Sequence, residues 1–155
     1  MSDNRIELLT ALAGAPQAFA ELLSVASAET AARRPEPRRW SAAEVVAHLA
    51  EHELVLGVRL RMILTAEEPA LLPYDQDAWA LVGDYIARPA AESLALFGAV
   101  RAANVALLRR LERAGWQRAG LHPERGRLTV SDIANFTARH DRRHLEQARR
   151  ALAAE

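Results

Sequence analysis

The sequence predicts an all-α fold, a four-helix bundle with a short extra helix in the connection between the second and third long helices. Four segments, each of about 22 to 27 residues, carry a single apolar stripe at helical spacing. Proline and glycine, seven of each, lie mostly between these segments. Residues typical of strands are too scattered to build a sheet. A chain of 155 residues fits a single domain over residues 1–155 with one continuous core.

The first half of the chain predicts two long helices with a break between them. The first covers about residues 3–29, and the segment RRPEPRRW ends it because two prolines cannot continue a helix. Ser41 begins the second helix with the capping box S-A-A-E, in which Glu44 reaches back to the N-cap. This helix is expected to continue to about Leu64.

The second half predicts a short helix and two more long ones. The short helix, around residues 76–86, follows a loop with two prolines, and the third long helix covers about 90–114. The segment WQRAGLHPERGRLT is predicted to be a loop. Thr129 or Ser131 caps the last helix, which is expected to continue to about Leu152.

Composition and charge exclude several classes of partner and chemistry. Twenty basic residues balance twenty acidic ones, so no net field favours nucleic acid or an anionic membrane. No apolar run reaches the ~18 residues that span a bilayer. The N-terminus MSDNRIELLT has an acid where a signal peptide needs basic residues, which predicts a cytoplasmic protein. The absence of cysteine excludes disulfides, thiolate ligands and a cysteine nucleophile, so thiol chemistry would need an external thiol.

Two histidines of the last predicted helix, in the segment NFTARHDRRHLEQARR, point towards the core. On a helical wheel His140 and His144 share a broad side with the apolar residues, whereas the arginines mostly lie away from it. Two neutral imidazoles one turn apart in a core need separate hydrogen-bond partners, which is costly. A divalent metal satisfies both, because nitrogens at i and i+4 reach one ion. The alternative is a pair of core histidines satisfied by hydrogen bonds.

The second predicted helix carries another spaced pair in the run H-L-A-E-H. His52 falls close to the apolar stripe of this helix and His48 lies at its flank, so periodicity cannot choose between them. Either one, added to the pair of the last helix, gives a three-histidine set drawn from two helices. His122, in an H-P turn, is interpreted as a loop histidine, with a place in the lining of the site as the alternative.

Several segments in combination resemble the DinB-like superfamily, whose members are four-helix bundles that typically carry a three-histidine metal site. They are, in order, WSAAEVVAHLAEHE, RLRMILTAEEPALLPYDQDAW, HPERGRLTVSD and RHDRRHLEQ. In this order and spacing they look most like the branch named for metal-dependent hydrolases and associated with bacillithiol S-transfer. The resemblance covers about residues 35–150.

The resemblance implies that His48, His140 and His144 hold a divalent metal, Zn, Ni or Fe, and that His52 is a residue of the pocket. The chain departs from the pattern of the branch at two positions. Arg139 stands where the branch often has tryptophan, and Arg143 where it often has histidine. These departures leave the ligand positions intact but change the rim of the pocket, so the resemblance does not identify the substrate or the thiol.

A three-histidine metal site in a chain without cysteine leads to the hypothesis of an enzyme that transfers an exogenous low-molecular-weight thiol to an electrophilic small molecule, and the resemblance implies that this thiol is bacillithiol-like. A bound divalent cation deprotonates a coordinated thiol. Arginine in the pocket wall would suit a carboxylate of such a thiol. The candidate residues of the wall are Arg59, Arg61, Tyr74, Asp75 and Trp79. Solvated helix faces are the alternative interpretation of the two arginines, and a cap on the core is that of Trp79.

Two other functions fit the same residues. One is hydrolysis by metal-bound hydroxide, with Glu51 or His52 as the proton acceptor, although the zinc-protease motif H-E-x-x-H is absent. The other is a non-catalytic bundle that binds a metal or a ligand. For each function we expect a small-molecule partner rather than nucleic acid or a membrane. The apolar first and third long helices further predict a homodimer.

Overall fold

The computed structural model describes residues 3–154, so Met1, Ser2 and Glu155 lie outside the described part of the predicted domain. It confirms the all-α four-helix bundle. The elements are, in chain order, α1 (Asp3–Ser24), α2 (Ala28–Ala32), α3 (Ala42–Thr65), α4 (Gln76–Val82), α5 (Ala90–Arg109), α6 (Arg113–Gln117), β1 (Ala119–His122), β2 (Gly126–Thr129) and α7 (Val130–Ala153). The bundle consists of α1, α3, α5 and α7, and α4 is the predicted short helix between the second and third of these.

Capping side chains set the beginning of the two helices that carry the histidines. Ser41 and Glu44 form the predicted capping box at the start of α3. At α7 the cap is Thr129 rather than Ser131, and Asp132 completes a second capping box. In each box a side chain accepts from a backbone N–H of the first turn that has no partner within the helix. Both helices therefore start at a defined residue, which sets the rotation of their histidines about the helix axes.

Two connections differ from the sequence prediction. The first long helix ends at Ser24, five residues early, because Ser27 caps the separate short helix α2. The third long helix ends at Arg109 rather than near residue 114 and is followed by α6, and the segment predicted as a loop before the last helix instead holds an antiparallel β-hairpin formed by β1 and β2. Gly126, at φ +69°, takes the left-handed conformation that this hairpin turn requires. Strands of four residues are too short to give an alternating pattern in the sequence.

The hairpin is held against the loop that follows α3. Leu71 donates from its backbone N–H to the Leu121 carbonyl at 2.9 Å, and Leu121 donates to the Pro69 carbonyl at 2.8 Å. Gly120 allows this approach, since a Cβ at that position would lie 2.6 Å from a side-chain carbon of Leu71. The hairpin thereby covers the side of the bundle near α3.

Two apolar layers fill the bundle, with a polar layer between them. One layer is built around Leu12, Leu60 and Trp116, and the other around Phe19 and Phe97. The buried polar residues between the two layers come from the middle of α3, α5 and α7. They are His48, His52, Glu53, Arg101, Asn104, Thr137, His140, Asp141 and His144. The candidate site is part of this polar layer.

Two helices are long and apolar enough to span a membrane by length and composition alone. They cover Asn4–Ser24, with mean hydropathy 1.2, and Ala90–Arg109, with mean hydropathy 1.4. This corrects the expectation that no apolar run reaches the necessary length. It is weak evidence for a span, because the core helix of a soluble protein meets the same test. Both helices pack into the bundle, and α5 contributes Arg101 to a buried ion-pair network.

Candidate metal centre

Three histidines meet between α3 and α7. The Nε2 atom of His140 lies 3.2 Å from Nε2 of His48 and 3.1 Å from Nε2 of His144. One nitrogen of each ring lies within 4.8 Å of the other two, and all three side chains are buried. The i, i+4 spacing on α7 brings His140 and His144 onto one face, and α3 presents His48 opposite them. The structure therefore brings together the three residues that the resemblance implies as ligands.

The geometry of this cluster fits a divalent cation. Zinc–nitrogen bonds of 2.0–2.1 Å in a tetrahedral arrangement place two histidine nitrogens about 3.3 Å apart, close to the separations observed here. If no cation is bound, Nε2 of His140 must be the hydrogen-bond partner of two atoms, Nε2 of His48 and Nε2 of His144. The buried Nδ1 of His140 has no hydrogen-bond partner among residues 3–154. A cation instead accepts a lone pair from each ring.

The hydrogen bond from His144 to Gln147 favours the tautomer that metal binding needs. Nδ1 of His144 donates to the Gln147 side-chain oxygen at 2.8 Å. The proton is therefore on Nδ1, and the lone pair of Nε2 points into the cluster. Hydrogen bonds of this kind orient ligand rings and raise their basicity.

Burial keeps the four histidines of the polar layer neutral. It lowers the pKa of His48 and of His52 to about 3 and that of His144 to about 4, with smaller effects from neighbouring positive groups. Burial also lowers the pKa of His140, which His52, His144 and His48 reinforce. All four rings are consequently uncharged at neutral pH, which is the state in which imidazole binds a metal.

His52 lies beside the cluster as a fourth ring. It stacks on His140 with the ring centroids 4.4 Å apart, and its Nδ1 is 2.9 Å from the Tyr74 hydroxyl. Its Nε2 is buried and has no partner within the described chain. His52 therefore fits the role that the resemblance implies, a pocket residue next to the ligands.

A buried charge network joins the helices behind the histidines. Arg101 of α5 donates to Asp141 of α7 at 2.7 Å, to Glu53 of α3 at 2.9 Å and to the Leu12 carbonyl of α1 at 2.7 Å. Asn104 donates to the second carboxylate oxygen of Glu53 at 2.9 Å. Burial alone would lower the pKa of Arg101, but attraction to Asp141 and Glu53 raises it. The network connects all four long helices at the level of the candidate site.

Two open regions border the cluster, one at His140 and one at His144. The first, which we call the hairpin cavity, has adjoining lobes of about 210 and 430 Å³. The lobes share His52, Arg59, His122, Arg125 and Phe136, and the smaller one also reaches His140. The second, the outer groove, is about 910 Å³ and reaches His144. It is lined by Trp40, Gln147 and several arginines, with Arg143 common to the groove and the smaller lobe.

The structure places only some of the predicted wall residues at these openings. Arg59 and Tyr74 line the hairpin cavity. Arg61 instead donates to the Gly57 carbonyl and to Asn104. Asp75 caps α4 by accepting from the backbone of Asp77 and Ala78, and Trp79 packs behind Tyr74. Arg61, Asp75 and Trp79 line neither opening in the described structure, and a role for them in the pocket wall stays a prediction.

Glu51 is not placed as a free proton acceptor. Its carboxylate accepts from the Tyr85 hydroxyl at 3.1 Å and from Arg88 at 2.8 Å, which links α3 to the chain after α4. The ion pair with Arg88 leaves the Glu51 side chain only 15% exposed. Glu51 as a proton acceptor therefore stays a prediction, with its carboxylate held by Tyr85 and Arg88 in this structure.

Sequence reasoning missed three groups of residues. Gln147 lies three positions after His144 on the same helical face, so the spacing could have indicated it. The buried network could have been indicated by Arg101 and Asn104, which interrupt the apolar stripe of α5 three residues apart. No sequence signal places Arg125 at the cavity, because its position depends on the unpredicted hairpin.

The arrangement of four long helices and three histidines agrees with a comparison to known families. The profile of the DinB superfamily matches residues 11–148. The chain belongs to the DinB superfamily. The resemblance read from the sequence is therefore confirmed.

Curated members of the DinB superfamily are similar to this chain over part of their length. A "Putative metal-dependent hydrolase" of Oceanobacillus iheyensis is 33% identical over 106 residues, which is 68% of this chain and 61% of the relative. A second "Putative metal-dependent hydrolase", YfiT of Bacillus subtilis, is 31% identical over 107 residues, which is 68% of this chain and 60% of the relative. The matched regions thus span about 60% of these relatives.

Solved structures show the same DinB fold. The structure of YfiT, described as having an unusual four-helix bundle topology, matches with a TM-score of 0.90 at 24% identity, over 97% of this chain and 87% of YfiT. A mycothiol-dependent maleylpyruvate isomerase matches with a TM-score of 0.73 at 15% identity, over 92% of this chain and 59% of the isomerase. At these identities the matches show the fold alone.

Proposed function

We propose that this protein is a metal-dependent enzyme that transfers a low-molecular-weight thiol to an electrophilic small molecule. The observation that carries the proposal is the position of the three-histidine cluster between two openings. His140 borders the hairpin cavity and His144 borders the outer groove. Two openings at one centre, which share Gln76 and Arg143 in their linings, suit a reaction between two organic molecules, each bound in its own opening.

His48, His140 and His144 would hold the cation through Nε2. When bound, the cation supplies a positive charge that lowers the pKa of a thiol or of water at the site. The buried His52 stacks on His140 and lines the hairpin cavity, and its Nε2 has no hydrogen-bond partner within residues 3–154. With no cysteine in the chain, the sulfur would come from the thiol substrate. The mycothiol dependence of the isomerase with the same fold supports this choice of substrate class.

Hydrolysis is the second candidate, and the names of the relatives favour it. It needs one organic substrate and water, so it makes use of one opening only. His52 is the remaining candidate to interact with the water molecule, since Glu51 is engaged by Tyr85 and Arg88. A non-catalytic metal-binding bundle is the third candidate.

One assay separates the three functions. Protein reconstituted with Zn²⁺, Ni²⁺, Fe²⁺ or Mn²⁺ is incubated with monochlorobimane and, in turn, bacillithiol, mycothiol, glutathione and coenzyme A. In the expected reaction a carbon–sulfur bond forms, chloride leaves, and the thiol proton passes to solvent. Fluorescent conjugate above the rate of metal-free protein supports S-transfer.

The controls decide the alternatives. A parallel panel of ester and amide substrates without thiol measures hydrolysis, and turnover there in the absence of conjugation would favour the hydrolase. The His48→Ala variant controls for reaction outside the cluster. Tight metal binding without turnover in either panel would contradict the enzyme proposal and favour the binding module.

A further inference from the structure

The hairpin cavity contains buried polar atoms that lack a partner in the protein. His52, which is 7% exposed, lines both lobes, and its Nε2 is buried without a partner in residues 3–154. Nδ1 of His140, whose ring lines the smaller lobe, is also buried without a partner in residues 3–154. Buried polar atoms are normally hydrogen-bonded, so atoms of this kind beside a cavity indicate a ligand that supplies the bond.

Arg59 has a fixed position in the wall of this cavity. Its Nε and Nη2 donate to the Leu72 carbonyl at 3.0 and 2.6 Å, and its guanidinium lies 5.9 Å from the centroid of the Tyr74 ring. The Nη1 group makes no hydrogen bond within the described structure. Because the Leu72 carbonyl already orients the guanidinium, the Arg59 side chain would lose little conformational entropy when a ligand binds.

Arg125 approaches the same cavity from the turn of the hairpin. Its guanidinium carbon lies 4.4 Å from the centroid of the Phe136 ring, a cation–π contact with α7. Arg125 is exposed, and this contact orients its side chain at the lining of the cavity. Arg59 comes from α3 and Arg125 from the hairpin, so the two cations approach from different sides.

The positive charge of this region is only partly compensated by acids. Asp132, which lines the larger lobe, is engaged by Thr129 in the cap of α7. Glu124 lies in the exposed turn. Burial lowers the pKa of Arg59, and Arg125 lowers it further although Tyr74 and Glu124 oppose this. Burial also lowers the pKa of His122, as do both arginines. An anion here would relieve this repulsion.

The outer groove is a weaker candidate for an anion site. Its arginines are exposed, and three acids, Glu36, Asp77 and Glu146, share its lining. Arg39 in the groove already pairs with Glu36 at 3.1 Å. In the hairpin cavity Arg125 is exposed as well, but Arg59 is partly buried and oriented by the Leu72 carbonyl, and two buried histidine nitrogens lack a partner in residues 3–154.

We propose that the hairpin cavity binds a carboxylate group of the substrate, which Arg59 and Arg125 hold beside His52. The inference rests on the proposed function, because it identifies one of the two molecules that meet at the cluster as a carboxylic acid. A carboxylate bound between the two guanidinium groups leaves the smaller lobe, which reaches His140, for the reactive part of that molecule. Arginine suits this role because its planar fork matches the two carboxylate oxygens.

The test is a binding titration that does not depend on the reaction. Metal-free protein labelled with ¹⁵N is titrated with succinate, with the uncharged succinamide and with inorganic phosphate at constant ionic strength, and amide shifts of the hairpin are followed by NMR. Succinate is expected to shift the amides of His122 and Arg125 in a saturable way. Succinamide should bind at least about tenfold more weakly than succinate, because it lacks the charge-assisted hydrogen bonds.

Matched arginine variants locate the effect. Arg125→Gln and Arg59→Gln should each weaken succinate binding about tenfold. Arg127→Gln, on the same hairpin but paired with Glu68, and Arg61→Gln, two residues along α3 from Arg59, should leave binding unchanged. Because Arg59 also donates to the Leu72 carbonyl, Arg59→Gln is interpreted only if its melting curve matches that of the wild type. Arg125 is exposed, so Arg125→Gln tests the proposal even if Arg59→Gln is unstable.

The outcomes are distinct. Equal binding of succinate and succinamide, or equal effects of Arg125→Gln and Arg127→Gln, would overturn the proposal. Phosphate binding tighter than succinate, lost in Arg125→Gln, would overturn the carboxylate assignment. Succinate binding without thiol transfer in the conjugation assay would contradict the proposed function alone, whereas transfer without succinate binding would contradict the carboxylate site alone.

Discussion

Nδ1 of His52 lies 2.9 Å from the hydroxyl oxygen of Tyr74, and this hydrogen bond connects α3 to the loop before α4. The same imidazole stacks on His140 with centroids 4.4 Å apart. Tyr74 is in turn covered by Trp79, at 5.1 Å between rings. The loop therefore orients a ring that touches a candidate metal ligand without being part of the three-histidine cluster.

Replacing Tyr74 by phenylalanine should release His52 without disturbing metal binding. Loss of one partly buried hydrogen bond is expected to cost about 1 kcal/mol of unfolding free energy. The ¹⁵N shifts of the His52 ring, measured by NMR, should move towards a mixture of tautomers, while metal stoichiometry stays at the wild-type value. Tyr85→Phe, which removes a hydroxyl bound to Glu51 instead, is the matched control and should leave the His52 shifts unchanged. Identical His52 spectra in wild type and Tyr74→Phe would refute the orienting role.

Alanine substitutions should separate the three candidate ligands from the fourth histidine. His48→Ala, His140→Ala and His144→Ala are each expected to abolish stoichiometric metal binding, because two remaining nitrogens hold a divalent ion poorly. His52→Ala should retain it. Metal content after reconstitution and gel filtration measures this. The assignment is wrong if His52→Ala loses more metal than His48→Ala.

The sequence alone was sufficient to place His140 and His144 in the core, but not to choose between His48 and His52 as the third histidine of the cluster. His140 and His144 share a face of a helix with an uneven distribution of charge, so periodicity alone placed both in the core. His48 and His52 are also one turn apart, yet both are buried, and only the packing of α3 against α7 decides which one reaches the cluster. The resemblance to the family supplied that choice before the structure did.

The hairpin shows why the pocket was harder to predict than the helices. The helices follow from residues close in sequence, through caps and apolar spacing. The hairpin depends on Gly126, on bonds to Pro69 and Leu71, and on the contact of Arg125 with Phe136. These are contacts between segments far apart in the chain, which a local pattern does not record.

The stability of the metal-free protein should fall as the pH falls below about 6.5. The folded-state pKa values of His48 and His52 are about 3 and that of His144 is about 4, all below the unfolded value. At a pH between the folded and the unfolded pKa of a histidine, the unfolded chain binds more protons than the folded one, so acid favours unfolding. For each of these histidines, the free energy of unfolding should fall by about 1 kcal/mol as the pH is lowered from 7.5 to 5.5.

Urea denaturation of chelator-treated protein at pH 7.5, 6.5 and 5.5 measures this dependence. His144→Ala should show a shallower fall than the wild type, because one depressed pKa is removed. An unfolding free energy that stays constant over the range, or that rises towards pH 5.5, would contradict the buried neutral state of the cluster.

Gln147 should control metal affinity without being a ligand. It accepts the Nδ1 proton of His144, and removal of such a partner typically costs about 10- to 100-fold in affinity. Gln147→Ala is expected to show a loss in this range in competition with a chromophoric chelator, and Gln147→Glu should recover most of it because a carboxylate accepts the same proton. Gln17→Ala, on the exposed side of α1, is the control. Equal affinity of Gln147→Ala and Gln17→Ala would rule out this role.

Arg101 should be the most costly single residue of the polar layer to replace. Arg101→Met leaves Glu53 and Asp141 buried without their cation, and breaking a buried pair in this way typically costs about 3–5 kcal/mol. The surface control Arg127→Gln should change the unfolding free energy by less than about 0.5 kcal/mol. Urea denaturation at pH 7.5 measures both.

A neutral replacement of the network distinguishes charge from packing. In Arg101→Met/Glu53→Gln/Asp141→Asn no charge remains buried, so much of the stability lost in Arg101→Met should return. If the triple variant is as unstable as Arg101→Met, the cost lies in the lost hydrogen bonds and packing of the arginine rather than in uncompensated carboxylates. If Arg101→Met itself is as stable as the wild type, the network does not hold the four helices together at the level of the histidines.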